Sequence, residues 1–441
     1  MRISSTMMSN NYLKQLNGTY EQYSKLMEQA DGSKLHRASD NAVGYSKYLR
    51  YQNNQISNEQ YQSNVSTASS WMKNADAALV NVTDLLQTFK AKVEQGSNST
   101  NNESDMKDIA KELLANVQEQ VADLNTQIGD RFLFAGQKDT TMPFEISADK
   151  MSRGDTFTLD EKQSAFFSGA TGWGKENTTV KQMLKLKGDD GNSYYMNVNT
   201  GDVYTEDFVK NGYKNEDKFD PAKQRVGNIT AITDPPTAYK VSDHFDQYGV
   251  IKTDTGVGTN AKYNVTVDGK QVNLKLSTTK QYIVKYAGDD KYISMVKKNG
   301  GVDKATDTVN VTGQDINGCD LFDVGNDPHS GTARLNQLLY TVAKLDGADY
   351  KWAGEQGMTI ADSAHATVLG AQTKMAARQQ AYNSSSSMLV TQNESITSDI
   401  SDVSSTDVAQ LATKLMEYQT IYSLSLSVGS KILPGTLADY L

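Results

Sequence analysis

Only six prolines interrupt the 441 residues, and their placement divides the chain. Pro143, Pro221, Pro235, Pro236 and Pro328 lie in the middle and Pro434 near the end, so none falls in the first 142 residues or between 329 and 433. Proline costs about 3 kcal/mol inside a helix, so those two tracts are where long helices are permitted. Glycine agrees, with 21 of its 32 occurrences between 143 and 350. The single cysteine, Cys319, excludes an internal disulfide and leaves the compartment open. The four histidines, His36, His244, His329 and His365, are far apart, and none stands at a metal-ligand spacing from Cys319 or from another. Asp202, Asp289 and Asp290 sit in turn-like stretches without the alternating carboxylates of a calcium loop. No apolar run reaches the about 18 residues of a transmembrane helix. A net charge of −9 without any dense Lys/Arg cluster argues against nucleic acid or an anionic membrane as the main partner. MRISSTMMSNNYLKQL at the start has no apolar core, so it is not a conventional cleaved signal, and any exit from the cell is expected by another route. With no nucleophile, acid–base pair or metal set in view, neither catalysis nor a cofactor is expected.

What the chain does have is a heptad stretch. Tyr61, Val65, Ala68, Met72, Ala75, Leu79, Val82, Leu86, Phe89 and Val93 follow steps of four and three without a break. At helical rise this seam is about 48 Å long, so it needs a partner helix of similar length. Two candidates follow it in the chain. One is Asp105 to Ile128, striped by Ile109, Leu113, Val117, Val121, Leu124 and Ile128, after the polar turn SNSTNNES. The other begins near Ile360, where Val368, Met375, Tyr382, Leu389, Ile396 and Val403 recur every seven residues. Its second row, Ala364, Ala371, Arg378, Ser385, Gln392 and Asp399, turns polar towards its end.

Shorter stripes mark both chain ends. Leu13, Leu16, Tyr20, Tyr23, Met27 and Ala30 precede an Asp31-Gly32-Ser33 stop. Ser39 or Asp40 is a suitable N-cap for the helix that follows. Near the other end Val408, Leu411, Leu415, Tyr418 and Tyr422 predict a helix to about Leu426, with Gly429 and Pro434 beyond it. Another helix, carrying Leu335, Leu338, Leu339, Val342 and Leu345, follows the turn Asp327-Pro328-His329-Ser330, with Ser330 as its cap. Between 143 and 328 the period changes to alternation. Hairpins are predicted around Asp268-Gly269, around Asn199 to Asp202, and around Gly288-Asp289-Asp290 between Tyr282–Val284 and Tyr292–Ile293. The predicted fold is therefore mainly α with a β-rich insertion. Long antiparallel helices from both chain ends form a coiled-coil rod, and the insert projects from its far end. The predicted domains are terminal helical segments (1–45 with 404–441), a long-helix rod (46–142 with 329–403) and the inserted β-rich domain (143–328).

KLHRASDNAVGYSKYLR at 34–50 and the Leu-Ser-Leu-Ser ending of the last helix resemble the flagellin-like axial proteins of the bacterial flagellum. Arg37 and Asp40 match charged positions of that signature, while His36 and Tyr45 depart from it. GDRFLFAGQKDTTMPF at 129–144 is similar to the segment found in the hook-filament junction branch of the family, the third hook-associated proteins. The resemblance covers 1–144 and 331–441 and leaves the insert out. It implies a structural protein that leaves the cell through the flagellar type III export apparatus and assembles as a helical layer at the hook-filament junction. The implied partners are further copies of itself, the first hook-associated protein on the hook side, flagellin on the filament side, and a cytoplasmic export chaperone at the C-terminal helix.

Three residue sets are then expected. Leu13, Leu16, Tyr20, Tyr23, Met27, Val408, Leu411, Leu415, Tyr418 and Tyr422 form the assembly interface; these stripes lack an obvious core within the chain and are expected to order when neighbours cover them. Val65, Met72, Leu79, Val82, Leu86, Phe89, Leu113, Val117, Leu124, Val368, Met375 and Leu389 form the rod core. Gly129, Asp130, Arg131, Phe132, Phe134 and Gly136 form the junction motif, read first as a helix C-cap with a hydrophobic plug and second as a partner contact. The competing functions are a flagellin proper, against which GDRFLFAG and the Leu-Ala-Asp-Tyr-Leu ending weigh, and an adhesin or glycan-binding module on the insert.

Overall fold

The computed structural model describes residues 5–39, 41–167, 180–211, 225–229, 241–252, 262–295, 307–318, 321–322 and 331–432. Asp40, Cys319, the turn Asp327 to Ser330 and the Leu437–Leu441 ending lie outside them. The chain is mainly α with long terminal helices, a β-rich inserted region and antiparallel strand pairing. Its contacts divide it into two compact units. The first comprises Met1–Ser66, Lys297–Asn299 and Ser384–Leu441, and the second Thr67–Val296 and Gly300–Asn383. The boundaries at 66/67 and 383/384 fall inside long helices, and residues 143–296 cluster with 67–142.

Helix α1 (Ser5–Glu28) ends in a single 3-10 turn and Gly32, whose φ of +94° is the left-handed stop that glycine takes without strain. Helix α2 (Ala42–Gly96) is capped by Asn41, whose Oδ1 accepts the Gly44 N–H at 2.9 Å; Ser39, expected as its cap, does not play that part. Helix α3 (Glu103–Leu124) opens with a capping box, Asn102 with Asp105. It stops four residues short of the predicted Ile128. Asn125 donates to and accepts from the Phe144 backbone at 2.9 and 3.0 Å, and Gln127–Ile128 turns back as β1 against β2 (Arg131–Phe132).

The inserted strands follow: β3 (Phe144–Ile146), β4 (Met151–Gly154) and β5 (Thr156–Thr158), helix α4 (Glu161–Phe167), then β6 (Gln182–Gly188), β7 (Ser193–Met196) and β8 (Asp202–Thr205). Short helix α5 (Glu206–Asn211), β9 (Gly227–Asn228), α6 (Val241–His244), β10 (Lys262–Val267), β11 (Lys270–Leu276), β12 (Thr278–Gln281) and β13 (Val284–Tyr286) complete them. A sheet runs β10-β11-β6-β7-β8-β9, with β5 also on β6. Alternation sorts its side chains. Leu184, Leu186, Tyr194, Met196 and Val203 join one core with Val272, Leu274 and Phe245. Met183, Tyr195 and Tyr204 join another with Phe157, Phe167 and Phe208. The β10–β11 turn is Asp268-Gly269 with both φ positive, as a two-residue hairpin demands, and β7–β8 pair across Asn197 to Gly201. The hairpin predicted between 282 and 293 does not form. Val284–Tyr286 pairs instead with Phe144–Ile146, and β12 pairs with β4.

Helices α7 (Gly313–Asn317), α8 (Ala333–Asp346) and α9 (Tyr350–Trp352) lead through a π turn at Ala353–Gly357 into α10 (Met358–Ser404), and α11 (Val408–Ile432) follows. In the second unit, Met72, Leu79, Val82, Leu86, Phe89 and Val93 of α2 are all at or below 1% exposure. Each such side chain stabilises the fold by about 1.5–3 kcal/mol. Both candidate helices touch α2. Asn116 of α3 donates to Leu85 O at 3.0 Å, Lys92 pairs with Glu112, and Lys90 pairs with Asp362 of α10. Leu113, Val117, Leu124, Val368 and Met375 are completely buried. In the first unit the same seam turns polar. Asn58 Nδ2 donates to Gln392 Oε1 at 3.3 Å, and Gln62 Nε2 donates to Asn58 Oδ1 at 2.6 Å and to Leu389 O at 3.3 Å. Val65 and Leu389 close it as buried apolar residues.

Candidate functional site

Two places carry the residues singled out in the sequence: the paired terminal helices of the first unit and the Gly129–Gly136 tract of the second. Helices α1 and α11 pack together, so the stripes expected to lack an obvious core within the chain cover one another in part. Tyr12 Oη donates to Ser425 O at 2.7 Å, and Tyr20 lies 5.8 Å from Tyr422, ring to ring. Tyr12 sits directly over Gly429, where any Cβ would collide with its ring, so Gly429 is a seat inside α11 rather than the residue beyond its end. Below the pair, the signature segment is stitched to the α10–α11 joint. Lys34 N–H donates to Ser404 O at 2.7 Å, Thr406 N–H donates to Gly32 O at 3.0 Å, and Ser33 bridges Ser405. Lys34 Nζ reaches Asp402 O, Arg37 pairs with Glu28 at 2.9 Å, and Leu35 is buried.

The expected interface residues divide into two rows. Leu16 and Tyr23, with Leu415, Tyr418 and Tyr422, are half-buried, and Leu411 is buried. The covered positions of α1 run Tyr12, Leu16, Thr19, Tyr23 and Leu26, at steps of four and three. Leu13 (42% exposed), Tyr20 and Met27 lie one position along, seven residues apart, and are exposed. Val408 is 68% exposed, and Met416, Leu424 and Val428 join it as bare apolar side chains on α11. Sequence reasoning missed Tyr12, Leu424, Val428 and the seat at Gly429. The four-three spacing of Tyr12, Leu16, Thr19, Tyr23 and Leu26 was the available signal.

The Gly129–Gly136 tract is a hairpin turn followed by a plug, not a helix C-cap. Gly129, with φ of +65°, and Asp130 make the β1–β2 turn, and Arg131 is exposed 3.4 Å from Asp139. Phe132, Leu133, Phe134 and Ala135 are buried, the last three completely. Three backbone acceptors and donors anchor them. Tyr286 Oη bonds Phe134 O at 2.9 Å and Asp289 O at 3.0 Å, and accepts the Gly313 N–H at 3.3 Å. Asp289 N–H donates to Ala135 O at 3.0 Å, and its Oδ1 accepts the Gln137 N–H at 2.6 Å. Burial holds the Tyr286 hydroxyl far above its ordinary pKa, so it stays a donor. Only the Gly129–Arg131 tip faces solvent.

His36 lies 3.2 Å from Asp31, His244 bonds the Tyr263 hydroxyl at 3.1 Å, and His365 sits on α10; His329 lies outside the described residues. Among the described residues no group of three or more His, Cys, Asp or Glu could hold a metal ion, and no helix is long and apolar enough to cross a membrane.

Residues 3–139 match the family described as the bacterial flagellin N-terminal helical region. A flagellin of Salmonella montevideo is 26% identical over 302 residues, covering 59% of this chain and 58% of that protein. The chain thus spans little more than half the length of the curated relatives it matches. Two solved chains from Legionella pneumophila are also similar. Flagellar hook associated protein-3 has a TM-score of 0.37 at 11% identity, covering 81% of this chain and 98% of that one. The flagellar junction protein FlgL has a TM-score of 0.34 at 12% identity, covering 77% and 99%.

Proposed function

We propose that this chain, flagellin-like over residues 3–139, is a structural subunit of the bacterial flagellum that forms the layer between hook and filament. The observation that carries the reading is the bare apolar row on the α1–α11 pair, within and beside the region matched to flagellins. Leu13, Tyr20, Met27, Val408, Met416 and Leu424 remain exposed despite the pairing of α1 with α11. A heterologous head-to-tail contact through this row, repeated by a rotation that does not close, generates a helical layer. In this role the buried and half-buried residues, Leu16, Tyr23, Leu411, Leu415, Tyr418 and Tyr422, hold the pair together, and the exposed ones meet neighbouring copies. The junction position is supported by the Gly129–Gly136 tract, whose exposed tip offers a contact to the first hook-associated protein or to flagellin while its plug is internal. Passage through the type III export apparatus, with a cytoplasmic chaperone on α11, belongs to the same proposal. The role is structural and without catalysis.

A flagellin proper is the second reading, favoured by the curated relatives, which are flagellins. Deleting the gene in a motile strain separates the two. The junction role expects hooks without filaments and unpolymerised flagellin in the medium. Restoring the full chain recovers swimming, and restoring a chain without its last 35 residues does not. Normal filaments in the deletion strain would end the proposal. If the chain itself made up the mass of sheared filaments, the flagellin reading would replace it.

A further inference from the structure

Among the described residues, β3 and β13 pair only with each other, and β5 pairs only with β6. Each of these strands therefore has an edge that no strand covers. In an antiparallel pair alternate residues bond across the ladder and those between them face outward. Ser147 N–H donates to Ile283 O and Ala287 N–H to Pro143 O, both at 2.8 Å. With Val284 opposite Ile146 and Tyr286 opposite Phe144, this turns the backbone groups of Phe144 and Val284 outward. Lys185 N–H donates to Asp155 O and Leu159 N–H to Lys181 O, 2.9 Å each, which turns Thr158 away from β6 in the same way. Phe144 and Val284 are completely buried and Thr158 is 3% exposed, so these backbone groups need partners within the protein.

One primary amide answers each residue. Asn125 at the end of α3 takes Phe144, Asn336 of α8 takes Val284, and Gln356 of the π turn takes Thr158. In that order the amide oxygen accepts the N–H at 3.0, 2.8 and 2.9 Å. The amide nitrogen donates to the C=O at 2.9, 3.3 and 3.3 Å. A helix spends its own backbone groups internally, whereas a side-chain amide offers an acceptor and a donor as a neighbouring strand would. Two of the helical elements hold the insert a second time. Asn336 O accepts from Gln281 Nε2 of β12 at 3.1 Å, and Glu355, beside Gln356, pairs with Lys210 of α5 at 2.7 Å. The amides stand 19, 52 and 198 residues from their strands, so they reach the insert from both of its flanks.

We propose that Asn125, Asn336 and Gln356 are edge locks. Each stands in for a missing strand, and together they make β3, β5 and β13 one cooperative body with the helices of the second unit, not part of a separate domain on a hinge. The inference is independent of the assembly role, since every residue in it belongs to the second unit.

The test is native-state hydrogen exchange on the full chain in graded urea. In the wild type the amides of Phe144, Thr158 and Val284 are expected to converge with that of Leu339 in α8 on a single opening isotherm. Val265 of β10, which no lock touches, is expected to open on its own at lower urea. Gln356→Leu removes both polar groups at similar size. It is expected to speed exchange at Thr158 about tenfold or more, and by the same factor at Val284 and Leu339, whose own bonds are untouched. Glu355→Gln, which weakens only the exposed pair with Lys210, is expected to change these rates by less than about fivefold. Acceleration confined to Thr158 would overturn the proposal and leave each amide a local bond. Separate wild-type isotherms for the three strands and α8 would overturn it too, and that measurement stands even if Gln356→Leu does not fold.

Discussion

Replacing Tyr286 by phenylalanine removes one oxygen and leaves the ring, which packs 5.0 Å from Phe144. That oxygen serves three backbone groups, Phe134 O, Asp289 O and the Gly313 N–H. The surroundings cannot close over the loss. Gly288 and Gly313 already press against the ring so tightly that neither has room for a Cβ. A buried polar group left without a partner costs about 1–3 kcal/mol, and bifurcation makes the three contacts worth less than three separate bonds, so about 2 kcal/mol is expected. At 1.36 kcal/mol per factor of ten, that is about 30-fold faster opening of the 132–137 segment. Hydrogen exchange at the Asp289 and Gln137 amides, which bond Ala135 O and Asp289 Oδ1, reads that opening directly. Arg131→Ala is the control. Its side chain is exposed at the tip, so stability is expected to change by less than about 0.5 kcal/mol. If Tyr286→Phe left exchange unchanged, or Arg131→Ala accelerated it as much, the division into internal plug and free tip would be refuted.

Leu79→Asp places a carboxylate at a completely buried position of α2 and is expected to destabilise the second unit by at least about 4 kcal/mol; an unchanged melting temperature would remove Leu79 from the core. Asp290 gives a pH prediction. Burial holds its carboxyl above the usual range, with Asp315 and Asp289 adding to the shift and the Thr312 hydroxyl opposing it. The folded chain therefore keeps a proton that the unfolded chain has already lost. The Asp290 contribution to stability falls as pH rises from its ordinary value through its folded one. Relative to Asp290→Asn, the wild type should lose stability on that rise and run parallel above it; urea midpoints at a series of pH values would show it, and the opposite slope would refute it.

The long helices were legible because period alone identifies them. Tyr61 to Val93 repeats four-three without interruption, and no proline falls in 1–142. The Asp268-Gly269 hairpin was legible for an equally local reason, since a two-residue loop needs positive φ where it occurs. What failed was non-local. Leu124 and Ile128 are four apart and read as one stripe, yet the Asn125 side chain takes the Phe144 backbone and turns the chain out of the helix. Val284–Tyr286 pairs with strand β3, almost 140 residues away in sequence. Asn336 holds the β13 edge through Val284, with its Oδ1 accepting the N–H at 2.8 Å and its Nδ2 donating to the carbonyl at 3.3 Å. Neither partner leaves a trace in the local pattern. The division of the terminal stripes into a covered and a bare row was missed because both rows keep the heptad period and differ by one position.

The stitch at the base of the terminal pair has a consequence for order of events. Lys34 and Asp402 are 368 residues apart, and Tyr12 and Ser425 are 413 apart. For a chain emerging amino end first, the mate of α1 is among the last pieces to arrive. Loop closure over such a span comes before any contact in the unit can reward it, so the unit is slow to form and forms late. A chain cut anywhere upstream of the α10–α11 joint lacks that mate altogether. The pairing of α1 with α11 therefore cannot form, and the row it carries cannot be assembled, until α11 itself has been made.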